Sequence, residues 1–487
     1  MNQQANSVVV DLGLKKHCSA LPALLNIKSQ SDKVTRAVVC SQYGTIQLNE
    51  SKLIHVFRNL GGLCNLKTLI IELGDSPLPI EALSRLLEGP NRLKSIYMKH
   101  VRITGGLDHF RDFEYKLKGK RSLVDIRFRN CQCLPLLLGV CVKKADALQN
   151  IQISNSPIGG PNEGLMFSSI AARACNLKLI NLECIPDISD SHIASLCDEL
   201  ASPQSRLEVL SIISSKLGEQ SGRELATMLL VNTSIKTLTL RISWGSCGFC
   251  MSEVLKFNTT LETLILQLNG DDGPSDASQA VLIAEALCQE PYKCIKERSS
   301  FGTTSLKRLK LYLDIDQHED QASIMAAFKK TLDCNETLET LVISDQIGRN
   351  KLTPAIHFRL RLNQSNVRNL FRRKYRMHEE SSTATTTDDD LNKAIISQKE
   401  DVNVIFYILQ NDPSLCLGWK DVTLEGRAVR SSDAHPVGEE LQSRHRLNPV
   451  CHKAMTRFLK HGNGTVGTPK AMTLIRRRVK SILAPSA

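Results

Sequence analysis

The sequence predicts an α/β repeat solenoid, and three observations carry that prediction. A segment of the form apolar-x-x-apolar-x-apolar recurs ten times between Leu66 and Ile343. The stretches between these segments space their apolar residues as helices do. Finally, 42% of the 487 residues are hydrophobic, yet the longest apolar stretch, Cys133 to Val142, is short. A membrane span needs roughly 20 residues, so the apolar side chains are expected to meet across many short elements.

The ten segments are Leu66/Leu69/Ile71, Leu93/Ile96/Met98, Leu123/Ile126/Phe128, Leu148/Ile151/Ile153, Leu177/Ile180/Leu182, Leu207/Leu210/Ile212, Ile235/Leu238/Leu240, Leu261/Leu264/Leu266, Leu306/Leu309/Leu311 and Leu338/Leu341/Ile343. Their starts lie 27, 30, 25, 29, 30, 28, 26, 45 and 32 residues apart. One match is cheap in a Leu-rich chain, but ten at near-constant spacing are an internal repeat. Between them, Ile193, Leu196 and Leu200 fall at i, i+3, i+7, and Leu225, Met228 and Leu229 at i, i+3, i+4. Each unit reads as a short strand, a turn, a helix and a return. Neither half buries its apolar side alone, so neighbours must stack.

Three units repeat a sharper pattern: Asn232-Thr-Ser-Ile235, Asn258-Thr-Thr-Leu261 and Asn335-Glu-Thr-Leu338. Asn at a helix end is expected to take a left-handed backbone and stop the helix. On these residues the sequence resembles leucine-rich repeats of the ribonuclease-inhibitor-like type, over Leu66–Ile343 and more loosely over 34–60 and 351–375. The irregular unit lengths are also similar to those of repeat proteins from diatom-like algae. The resemblance implies a horseshoe with a parallel sheet on the concave side and helices on the convex side. At the ninth position of a unit that family has Asn, Cys or Thr; here only Cys131 and Asn269 fit. The others include Gly74, Val101, Ser156 and Ile185, so the repeats read as degenerate.

The expected organisation is an N-terminal cap over 1–60, with Val8–Val10, Val34–Val39 and Ile46–Leu48 in strand-like alternation, and an array over 61–375. A polar linker follows over 376–390, a helical C-terminal cap over 391–417, and a basic, disordered tail over 418–487. The stretched 45-residue spacing places a surface loop at Gln289–Ser305. Of the net charge of +12, the tail carries +8, from 13 Lys/Arg against 5 Asp/Glu, and it ends in Arg476-Arg-Arg-Val-Lys480. It is expected to touch polyanions weakly. The first residues show no basic stretch leading into an apolar one. The expectation is therefore a cytoplasmic or nuclear chain with no membrane contact, whose 16 Cys are reduced thiols.

Catalytic frames are missing from the pattern. No GxxxxGK[ST] loop occurs, and the His residues sit in no Ser/His/Asp or Cys/His frame. Cys247-Gly-Phe-Cys250 has dithiol spacing but lies inside a repeat loop and reads as a chance pair. Cys451, His452, His445 and His461 fit no standard zinc spacing. The expectation is a chain that is no enzyme and takes no cofactor: a protein-interaction scaffold working through the concave face. Because repeats of this type include GTPase activators, the alternative is a regulator of a small GTPase or NTPase.

Positions three, five and seven of each unit alternate with the buried leucines and should face the open side. Of these 30 residues six are basic and three acidic. Two groups stand out as anchors for a partner: Tyr97 and Lys99 beside Arg127 and Arg129, and Arg308, Lys310 and Tyr312 on one strand. Tyr and Arg are the residue types that most often carry interface energy.

Overall fold

Alternation and helical spacing resolve into a ladder of strands and helices in the computed structural model of the chain. It describes residues 7–12, 33–41, 49–157 (save 75, 119, 121 and 133), 170–214 (save 175), 217–268 (save 243, 244 and 246), 275–288, 305–313, 318–344 and 352–364. These belong to two units: 1–331 with 341–351, and 332–340 with 352–487.

The first unit is built on one parallel sheet. Its strands are β1 (Ser7–Asp11), β2 (Arg36–Cys40), β3 (Thr68–Glu72), β5 (Ser95–Lys99), β7 (Asp125–Arg129), β8 (Asn150–Ser154), β9 (Leu179–Glu183), β10 (Val209–Ser214), β11 (Thr237–Ile242), β12 (Thr263–Leu268), β13 (Arg308–Leu313) and β14 (Thr340–Ser344), in that spatial order. Two short strands, β4 (Pro77–Pro79) and β6 (Arg102–Thr104), pair separately. Helices carry the chain back so that successive strands run the same way. They are α1 (Glu50–Gly61), α2 (Ile80–Glu88), α3 (Leu107–Lys118), α4 (Leu134–Lys144), α5 (Asp190–Leu200), α6 (Glu219–Val231), α7 (Cys247–Phe257), α8 (Asp276–Leu287) and α9 (His318–Cys334). Already β2 and α1 have the strand–helix form of the later units.

Register explains why the apolar period is so regular. The fourth position of each unit lies beside its neighbour's, from Leu69 through Ile96, Ile126, Ile151, Ile180, Leu210, Leu238 and Leu264 to Leu309. All are at most 4% exposed. Each such side chain contributes about 1.5–3 kcal/mol by leaving water. The core thus runs the length of the sheet, one rung per unit.

The repeated Asn residues work differently from the expectation. Asn232 is extended (φ −73°, ψ 130°), not left-handed; its backbone N–H closes α6 on the Met228 carbonyl, while its side chain serves the end of the preceding helix and the next strand. Its Nδ2 donates to the Leu200 carbonyl at 2.7 Å, and its Oδ1 accepts from the Ser234 and Ile235 amides. Asn258 repeats this one unit on, donating to the Leu229 carbonyl and accepting from Thr260 and Leu261. A side chain with two donors and an acceptor satisfies the helix end and the next strand together, so no positive φ is needed. Among the described residues the left-handed non-glycine ones are instead His100, Asn130, Asn155 and Cys184, each just past a strand, with φ between 48° and 52°. Their amides donate across to Arg129, Ser154, Glu183 and Ile213, extending the ladder by a rung.

Ninth positions are also more orderly than the sequence implies. Ser156 accepts the Cys131 amide at 3.0 Å and donates to the Ser154 carbonyl at 2.9 Å, the task expected of Asn, Cys or Thr. Val101 and Ile185 are buried there and fill the core.

In the second unit, α10 (Pro354–Gln364) buries Ile356 and Leu360. Asn363 Nδ2 donates to the Asn335 and Leu338 carbonyls, a further instance of the Asn device. The 289–304 part of the inserted loop, the linker, the helical cap and the basic tail lie outside the described residues, as do Ile46 and Leu48. Among the described residues no helix is long and apolar enough to cross a membrane.

Candidate partner-binding face

One face of the sheet is covered by helices; the other carries the third, fifth and seventh positions. Strands such as β3, β5, β8 and β9 alternate half-buried and buried residues along their length, as a sheet covered on one side requires. Register brings the first group of anchors together as expected. Tyr97 lies beside Arg127, and Lys99 beside Arg129.

Their charges are less free than the sequence implies. Lys99 Nζ is bonded to Glu72 Oε1 on the neighbouring strand, and Arg127 Nε donates to Asp125 Oδ2 at 2.9 Å. Acidic residues on the same face thus pair with two of the three cations in this group. The Arg129 side chain stays exposed, its guanidinium without a hydrogen-bond or ion-pair partner among the described residues. The surface here dips into a depression of about 680 Å³, lined by Tyr97, Arg127, Arg129, Gln152, Asn181 and Glu183, with Arg36 of β2 at one end. Two buried acceptors face no donor among the described residues, Asp125 Oδ1 and Asn181 Oδ1. Buried acceptors of this kind cost stability unless a donor arrives. Arg36, Asn181 and this role of Asp125 escaped the sequence reading, because burial of one oxygen is a three-dimensional fact.

The second group gains a member. Lys310 Nζ stands 4.6 Å from the centre of the Tyr312 ring, and the Arg241 guanidinium, from two strands away, stands 4.9 Å from it. Arg241 Nε also donates to Gln267 Oε1 at 2.7 Å, holding it over the intervening strand. Aligning seventh positions, Arg241, Gln267 and Tyr312, would have found this row. Arg308 is exposed and, among the described residues, unpaired.

Other candidates separate from this face. Cys247 opens α7, fully buried, and burial pushes its thiol well above the ordinary value. A redox-poised dithiol needs a lowered thiol, so the geometry agrees with a chance pair. Among the described residues no three His, Cys, Asp or Glu side chains cluster to hold a metal ion, and Cys451, His452, His445 and His461 lie outside them.

No protein-family model matches the chain, and no curated protein matches it in sequence. Some solved structures are similar to it in part. A chain of the yeast Rad7–Elc1 complex is 14% identical over 71% of this chain and 86% of its own, with a TM-score of 0.37. A chain of the TLR13–ssRNA13 complex is 12% identical over 65% of this chain and 37% of its own, with a TM-score of 0.35. The C-terminal domain of tropomodulin from Caenorhabditis elegans is 16% identical over 43% of this chain and 98% of its own, with a TM-score of 0.22. Likeness at this level says nothing of a partner. The ladder of strands and helices itself makes the chain's fold an α/β leucine-rich-repeat solenoid.

Proposed function

We propose that the chain is a non-enzymatic scaffold that binds a protein partner on the open face of its sheet, in an array of the ribonuclease-inhibitor-like type. One observation carries the reading: the depression across β3 to β9, lined by Tyr97, Arg129 and Asn181, where the buried acceptors Asp125 Oδ1 and Asn181 Oδ1 lack donors among the described residues. A partner's main chain or side chains would supply those donors, and desolvated Tyr and Arg make effective anchors. Arg308, Lys310 and Tyr312, with Arg241 stacked on the ring, form a second anchor point on the same face. The 418–487 tail adds weak, salt-sensitive contact with polyanions.

The test is affinity capture followed by direct titration of each purified partner. Tyr97→Ala/Arg127→Ala and Arg308→Ala/Tyr312→Ala are compared with the unaltered chain, each after a melt shows an unchanged midpoint. Loss of about tenfold or more in affinity in either variant is expected for anchors of this kind. Retention of every partner by both variants refutes the reading.

A further inference from the structure

Just before each strand, the second position of the unit forms its own ladder along the sheet edge. Backbone hydrogen bonds connect Thr35, Lys67, Lys94, Val124, Gln149, Lys178, Glu208, Lys236, Glu262 and Lys307 in turn. From Glu208 onward the signs alternate, and the ladder neutralises itself. Lys236 Nζ pairs with Glu208 at 3.4 Å, and Lys307 Nζ with Glu262 at 3.1 Å.

At the other end the same ladder carries like charges. Lys67 and Lys94 are direct neighbours, the Lys94 amide donating to the Lys67 carbonyl at 2.7 Å. Around them stand Lys33, Arg36 on β2, and Arg92, two residues before Lys94. All five cations are exposed, and none has a hydrogen-bond or ion-pair partner among the described residues. Among the described residues leading into β2, β3, β5 and β7, the one carboxylate is Asp125, already engaged by Arg127. Like charges on adjacent strands are destabilising. An external anion relieves that repulsion; among the described residues no internal one does.

We infer that this edge, from Lys33 to Lys94, is the docking site of an acidic polypeptide segment that continues into the adjoining depression. The inference deepens the scaffold reading and rests on it. Arg36 joins the two features, since it belongs to the cationic edge and also lines the depression. The depression decides between acidic polymers. Asp125 Oδ1 and Asn181 Oδ1 need donors. A polypeptide main chain donates at each amide, whereas a nucleic acid's phosphate backbone only accepts and its donors lie on the bases. Tyr97 is the one aromatic side chain on the open face of β2 to β9, so a row of stacking platforms for bases is missing there. From β2 to β9 there are five steps of about 4.8 Å, about 24 Å in all, which about seven extended residues cover.

The full chain is titrated with a fluorescent Glu-Ser repeat peptide carrying a central photo-crosslinking residue, and in parallel with a fluorescent oligothymidine of equal length. Expected for the peptide is binding that weakens about tenfold in Lys67→Ala/Lys94→Ala and steepens in its salt dependence in the unaltered chain. Lys307→Ala, which removes a lysine already paired, is expected to leave binding unchanged. Crosslinks should fall on the β2–β9 strands. Crosslinks confined to 418–487, equal loss in Lys307→Ala, or oligothymidine binding that is tighter and lost in Lys67→Ala/Lys94→Ala each overturn the inference. If partner binding is lost in Tyr97→Ala/Arg127→Ala while Lys67→Ala/Lys94→Ala binds the peptide unchanged, the open face stands and the acidic segment falls. If both open-face variants keep every partner while crosslinks still map to β2–β9, the acidic site stands without the scaffold reading.

Discussion

Asn258 is where the array's local chemistry is most exposed to test. Its side chain is buried, 7% exposed as a residue, and it holds three backbone groups at 3.0 Å or less and a fourth, the Asn232 carbonyl, at 3.3 Å. Nδ2 donates to the Leu229 carbonyl at 2.7 Å, while Oδ1 accepts the Thr260 amide at 3.0 Å and the Leu261 amide at 2.9 Å. Asn258→Ala removes all of these bonds and leaves two N–H groups and two carbonyls where water reaches poorly. Each stranded group costs about 1–3 kcal/mol; taking the lower half of that range for the three shorter bonds, the loss sums to about 3–6 kcal/mol. Asn258→Asp keeps the acceptor but turns a second oxygen toward the Leu229 carbonyl, so at neutral pH it should cost a comparable amount. The assay is urea unfolding joined to amide hydrogen exchange, since an array need not unfold as one step. Exchange should accelerate first at Thr260 and Leu261 and at the C-terminal turn of α6. A loss below about 1 kcal/mol, or exchange unchanged at those two amides, refutes the view that the Asn side chains tie one unit to the next.

The core, a close helix contact and the thiols give three more expectations. Leu264, fully buried, lies between Leu238 and Leu309 in register. Leu264→Asp puts an unpaired carboxylate in that row and should cost about 4 kcal/mol or more, read as a lower melting midpoint. Gly89 ends α2 so close to α1 that an added Cβ would stand 1.9 Å from the Gly61 carbonyl oxygen. Gly89→Ala should therefore cost about 3 kcal/mol by forcing the two helix ends apart, and an unchanged melt would contradict this packing. Burial pushes the Cys141 thiol up to about 12 and raises Cys197 and Cys247 as well. All three then stay protonated at pH 8, so alkylation of the native chain should mark exposed Cys184 and spare them, whereas all four should react after unfolding. Rapid native labelling of Cys247 would reopen the dithiol reading.

The period of the leucines determined most of the fold without help. A residue such as Leu238 or Ile151 must leave water, and at constant spacing the only economical way is to stack equivalent positions. Strand, helix and parallel order follow from that constraint, and so does the alternation that places Tyr97, Arg127 and Tyr312 on the open face. Tertiary structure decided everything that depends on which groups meet across units. Pattern alone cannot tell that Asn232 is extended and acts through its side chain, or that Ser156 substitutes for an Asn. Nor does it say that Lys99 is spent on Glu72, that Arg241 reaches across Gln267 to Tyr312, or that Lys67 and Lys94 face no carboxylate among the described residues. Hydrophobic burial is non-directional and is written into composition and spacing. Hydrogen bonds and ion pairs are short-ranged and directional, and those that cross between units join partners 25 to 47 residues apart in sequence. Only the register of neighbouring strands brings those partners within reach.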